Sequence, residues 1–164
     1  MSADTFASLW PVLTGEEMLR QMADGRVPMP PHALHAGLAI ERVEPGRVAL
    51  DWRPPAAVSN PAGAVHGGYL AMALDDAAAL ACASLQDRFR PMLTLNLNLD
   101  FLRTVQVGEV YTVTGAVVHS GRRRIVAEAE VTGADGRGHA RGTGSFAPNA
   151  GFDPRDNRHR RDLH

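Results

Sequence analysis

The run from Gly67 to Ser84, GGYLAMALDDAAALACAS, constrains this chain more than any other stretch. It is the densest apolar segment and is long enough for a membrane span. Asp75 and Asp76 nevertheless stand at its middle, and no interfacial belt flanks it, so a membrane helix is excluded. Seven of its residues are alanine, which predicts a buried helix that a sheet can approach closely from several sides. Leu70, Leu74, Ala78 and Leu85 follow helical spacing and form one expected packing ridge.

Beyond Pro91 the hydrophobic period changes to two. Leu93, Leu95, Leu97, Leu99 and Phe101 alternate with Met92, Thr94, Asn96, Asn98 and Asp100, the cleanest strand signal in the chain. Three more strands are expected over 109–119, 123–132 and 137–146. Ser120-Gly121 and Asp135-Gly136 separate them as hairpin signals, so the last four strands read as a consecutive antiparallel set. Upstream, two shorter strands are expected over 36–44 and 46–53, hinged at Pro45-Gly46. Thr14 and Glu17 make a capping-box pattern ahead of Met18, Leu19 and Met22, predicting a short helix stopped at Gly25. Residues 28–32 (PMPPH) are expected to be non-helical, since prolines restrict themselves and their neighbours, and 54–65 reads as a loop.

The sum is an α+β layout: one long central helix wrapped by a curved antiparallel sheet of about six strands. Such a sheet leaves open edges that a second copy would cover, in a homodimer or a dimer-of-dimers tetramer. The expected organisation is an N-terminal helix and proline-rich lead-in (1–35), a main domain (36–147) and a flexible C-terminal tail (148–164) with little to bury.

Charge narrows the function. Seventeen basic against 18 acidic residues leave a formal net charge of −1, which gives no reason to expect nucleic acid. Every basic residue is arginine, but the arginines are scattered, as a compositional bias would leave them. Cys82 is the one cysteine, so an internal disulfide and a multi-cysteine zinc site are excluded. No basic start followed by an apolar run opens the chain, and a reducing cytoplasm is the expected compartment.

The chemistry concentrates in residues 60–76, NPAGAVHGGYLAMALDD. Free N–H groups at a helix start, with Gly67 and Gly68 allowing close approach, form a ready oxyanion site. Asp75, held among alanines and leucines, is partly desolvated and so a stronger base or nucleophile than a carboxylate in water. Asn60 can donate to a carbonyl or orient a water. Gly67 and Asp75 are eight residues apart, about 12 Å of helix at 1.5 Å per residue. A donor and an attacking group must both lie within about 3 Å of one carbonyl carbon. If both act, they must come from different subunits.

The run HGGYLAMALD, with an asparagine six positions before the histidine and an acid nine after it, resembles the hotdog-fold thioesterases. The likeness is to the branch with the phenylacetate-pathway and 4-hydroxybenzoyl-CoA thioesterases. It extends over about residues 14–147, including the NPAG loop, DFLRTVQVGE and the final GTGSF. The resemblance implies hydrolysis of an acyl-CoA thioester, with coenzyme A entering as part of the substrate and no separate cofactor. It implies Asp75 as the catalytic base or nucleophile, and Gly67 as the backbone donor to the thioester carbonyl. Asn60 would assist from the loop, His66 is the motif histidine, and Thr94 falls where related enzymes place a water-holding hydroxyl. One branch carries a hydroxyl residue one turn after the acid, where this chain has Ala79.

Other readings stand beside these. Asp76 points some 100° from Asp75 around the helix and reads as a structural acceptor. His66 can cap the helix or brace the loop, and Gly67 and Gly68 can serve a tight turn. Arg122, Arg123 and Arg124 can meet coenzyme A phosphates or form a solvated hairpin tip. Cys82 reads as a core thiol, and Trp10, Trp52 and Phe101 as core or interface residues. Two alternative functions remain: a non-catalytic acyl-CoA binding or sensing module, since fold does not fix function, and a hotdog dehydratase. An acid inside the helix argues against a pure binder.

Overall fold

A computed structural model describes residues 9, 12–149 and 151. Trp10 and nearly all of the expected tail lie outside them. Helix α1 (Gly15–Ala23) opens with the expected capping box, in which Glu17 and Thr14 satisfy each other's backbone N–H groups. Its stripe of Met18, Leu19 and Met22 is buried, and Gly25 follows in the left-handed region at φ +69°. Helix α2 (Pro31–Ala36) corrects the expectation of a non-helical 28–32. Pro31 sits at the first helical position, where its missing N–H costs nothing and its fixed φ suits the helix. The proline excludes helix before itself and starts one after.

Six strands follow: β1 (Leu38–Glu44), β2 (Arg47–Trp52), β3 (Met92–Phe101), β4 (Tyr111–Ser120), β5 (Ile125–Gly133) and β6 (Gly138–Pro148). The long helix α3 (Gly67–Ala83) stands between β2 and β3 in the chain. All pairings are antiparallel, in the order β1-β2-β4-β5-β6-β3. β3 is therefore not beside β4, as a consecutive meander would have it. It crosses to the far edge and pairs with β6. Leu85 lies past the helix end, half-buried, whereas Leu70, Leu74 and Ala78 form the expected buried ridge.

The alternation in β3 contains a break that periodicity conceals. Thr94 pairs with Phe146 and Asn96 with Ser145, leaving Leu95 as an extra, bulged residue. Before the bulge Met92 and Thr94 face α3; after it Leu99 and Phe101 do, with the Phe101 ring next to Gly67. The leucines thus occupy no single buried face. Leu93 and Leu95 remain 48% and 57% exposed along the sheet edge, and Phe101 is 56% exposed.

Helix α3 touches every strand. Its small residues permit this: Gly115 of β4 lies so close to the helix that a Cβ there would overlap the carbonyl of Ala77. Trp52, fully buried, donates from Nε1 to the Ala36 carbonyl at 2.9 Å and fastens α2 to the sheet. Gly115→Ala is expected to destabilise the chain by about 1–3 kcal/mol through overpacking, read as a lower urea midpoint. An unchanged midpoint would mean that helix and sheet can separate without cost.

Candidate active site

The loop before α3 is fastened on both sides. Val65 N–H donates to Val105 O (2.9 Å) and His66 N–H to Val58 O (3.0 Å). Asn60 shapes the bend itself: its Oδ1 accepts from the backbone N–H groups of Ala62 (2.9 Å) and Ala64 (3.2 Å). Its side-chain amide carries no hydrogen bond among the described residues. His66 is the N-cap, its Nδ1 accepting from Gly68 N–H at 3.0 Å. That bond occupies the Gly68 donor and leaves the Gly67 N–H, on the half-buried residue beside it, without a partner among the described residues.

Two turns further along α3, Asp75 is half-buried and accepts from the Thr94 hydroxyl, at 2.8 Å to Oδ1 and 3.1 Å to Oδ2. The bulge at Leu95 lets Thr94 face the helix on the same strand as the inward Leu99. Burial raises the Asp75 pKa above the ordinary carboxylate value, while the Thr94 bond and the positive charge of His32 draw it back. Asp76 is held by His32, whose Nε2 lies 3.1 Å from both carboxylate oxygens. Burial raises Asp76 as well, opposed by His32 and reinforced by the neighbouring Asp75. His32 was missed by sequence reasoning because PMPPH was read as non-helical; its signal was a proline able to open a helix.

Within one protomer the structure brings Asp75 and Thr94 together, and Asn60, His66, Gly67 and Gly68 together, at two separate places. Phe101 adjoins Gly67 and Thr94 adjoins Asp75, so β3 runs antiparallel to α3. Arg122, Arg123 and Arg124 are exposed at the β4–β5 tip, with no ion pair or side-chain hydrogen bond among the described residues. Ile125, next to them, pairs with Phe146, which pairs with Thr94, so the tip belongs to the Asp75 end of the sheet, two strand spacings or about 10 Å across. Cys82 is buried and its thiol is pushed up to about 12 by desolvation, which keeps it protonated and inert. A groove of about 920 Å³ on the outer face of the sheet, lined by Arg47, Glu128, Glu130 and Arg141 among others, contains none of these residues. No helix among the described residues is long and apolar enough to cross a membrane.

A helix wrapped by a six-stranded antiparallel sheet is the hotdog fold of thioesterases. Residues 62–139 match the family model of the thioesterase superfamily. The medium/long-chain acyl-CoA thioesterase YigI of Escherichia coli K12 is 32% identical over 135 residues, covering 73% of this chain and 86% of that protein. The chain belongs to the thioesterase superfamily. Among solved structures, a phenylacetic acid degradation-related protein from Ralstonia eutropha JMP134 is 30% identical with a TM-score of 0.71, over 79% of this chain and 98% of that one. A thioesterase protein from Streptococcus pneumoniae TIGR4, solved with coenzyme A, is 27% identical with a TM-score of 0.64, over 68% and 88% of the two chains.

Because the raised Asp75 pKa means that the folded chain keeps a proton the unfolded chain has lost, the ionised carboxylate opposes folding at higher pH. Asp75→Asn is therefore expected to raise Tm near pH 7, the gain fading as pH falls through the carboxylate range and wild type takes up its proton. A gain of the same size at about pH 4 would show that carboxylate desolvation is not its source.

Proposed function

We propose that the chain hydrolyses acyl-CoA thioesters at a site shared by two copies, with Asp75 of one protomer acting opposite the partner's Gly67. The observation that carries this reading is the separation of the two chemical groups on one rigid helix. Asp75 and Gly67 lie about 12 Å apart along α3, too far to serve one carbonyl. β3 is an edge strand with unpaired backbone on one side and runs antiparallel to α3. A second copy pairing with it about a two-fold axis near Leu97 would set the Thr94 end of one strand beside the Phe101 end of the other. Each Asp75 would then face the partner's Gly67, twice per dimer.

In this site Asp75 takes a proton from a water held with the Thr94 hydroxyl, and the water oxygen attacks the thioester carbonyl carbon. The partner's Gly67 donates its N–H to the oxyanion as it forms, with the free amide of Asn60 from the same loop assisting. Collapse breaks the carbon–sulfur bond and releases the acid and coenzyme A, whose thiolate takes the proton that Asp75 had accepted. His66 keeps Gly68 N–H occupied and the glycine pair in place. Gly68 contributes the close approach of backbone to substrate, and Arg122 and Arg123 supply unpaired guanidinium groups for coenzyme A phosphates. The names of the relatives support acyl-CoA as the substrate class.

Purified protein assayed against a panel of acyl-CoAs with a thiol reagent is expected to release free coenzyme A. Asp75→Asn should lower turnover by about 10²-fold or more, the scale of a lost general base; undiminished turnover removes Asp75 from the chemistry. Asn60→Asp keeps the oxygen that shapes the loop while deleting the amide donor, and should lower kcat with little change in stability. Mixed dimers of Asp75→Asn with a second subunit altered in the Asn60 loop should recover part of the activity at one of their two sites. Absence of any recovery counts against sharing, and binding without turnover of any acyl-CoA would favour a binding module.

A further inference from the structure

We infer that His32 is a positioning residue for the reaction: its bond to Asp76 holds an imidazole beside the two adjacent carboxylates and so tunes Asp75 as a base. This rests on the reading of Asp75 as the base, but the contact itself is independent of that reading. His32 Nε2 is equidistant, at 3.1 Å, from both oxygens of Asp76, and is the one hydrogen-bond partner that carboxylate has among the described residues. Asp76 is 21% exposed and His32 50%, so the carboxylate is largely shielded while the imidazole that meets it stays half exposed.

The imidazole is presented by a fixed element. Helix α2 begins at Pro31, buries Ala33 and Ala36, and ends at Gly37 with φ +77°, where a Cβ would overlap the Arg53 carbonyl. Trp52 holds the Ala36 carbonyl, and the His35 and Tyr69 rings lie 6.2 Å apart nearer the start of α3. α2 therefore meets α3 at two points, and a fixed helix backbone presents His32 to Asp76.

Among the described residues no other group packed against this part of α3 can do the same work. β3 contributes the uncharged Thr94. The surfaces that β4 and β5 turn to α3 carry Val113, Gly115, Ala127 and Ala129; those of β1, β2, β6 and α1 are likewise apolar. The charged groups at the site are Asp75, Asp76 and His32. Two neighbouring carboxylates in a desolvated place resist ionising together. A charge on the His32 ring offsets that of Asp76, which it bonds, and so favours ionisation of the neighbouring Asp75.

His32→Gln separates charge from tethering, because glutamine can still donate to Asp76 but carries no charge. In the full-length protein two curves are measured: the acid limb of kcat/KM, and the titration of the Asp75 side-chain carboxyl by carbon NMR without substrate. Both are expected to move to higher pH by about half a unit or more in His32→Gln. In the Asp76→Ala background, where the imidazole has lost its anchor, adding His32→Gln should produce at most a much smaller movement. A carboxyl titration that stays in place in His32→Gln overturns the proposal, including when Tm falls, since that outcome reduces His32 to a strap. The NMR curve needs no turnover, so it still judges His32 if Asp75→Asn proves fully active and the hydrolytic reading fails.

Discussion

The structure depends on how closely its sheet can approach its helix. Alanines on α3 and Gly115 on β4 remove the side chains that would hold the two apart, and the Ala77 carbonyl lies where a Cβ of residue 115 would be. One helix can then serve as the core of six strands. The apolar types on the inner faces supply the burial, and the small ones supply the distance. Neither does the other's work.

That same economy shapes the chemistry. A helix enclosed on most of its circumference is a poor place for charge, and a carboxylate there must be compensated or remain protonated. The chain meets this on two sides of the helix with different donors. Thr94 offers a neutral hydroxyl to Asp75, which leaves that carboxylate able to take a proton; His32 offers a chargeable ring to Asp76. Adjacent residues of one type thus acquire different surroundings because 100° of helical rotation carries them to a strand and to a short helix respectively.

Much of this was legible in the sequence. The alanine-rich run with its central acids gave the helix within one residue, and the strand limits fall within two residues of those the alternation and turn pairs imply. The capping box at Thr14 and the buried Trp52 were legible for the same reason, since each is written in local residue types. What local pattern could not carry was pairing at a distance. The crossing of β3 to β6 has no marker in the connection over 102–110. His32 reaches a residue 44 positions away, through a helix whose only cue was the proline that had seemed to forbid it. The oxygen of Asn60 turned out to be spent on its own loop, which leaves its amide as the group available for other work.

The additional residue at Leu95 acts as a phase inverter. Strand faces repeat every two residues, so one surplus position exchanges inside and outside for everything beyond it. Upstream of the inverter, the polar member of the alternation points to the helix; downstream, the apolar members do. Were the ladder to run through Leu95 without the bulge, the sequence would keep its hydrophobic rhythm, but the inward hydroxyl and inward leucines could no longer coexist on one strand. Comparisons of such chains by hydrophobic rhythm alone will therefore slip by one position at the point where the strand meets the carboxylate.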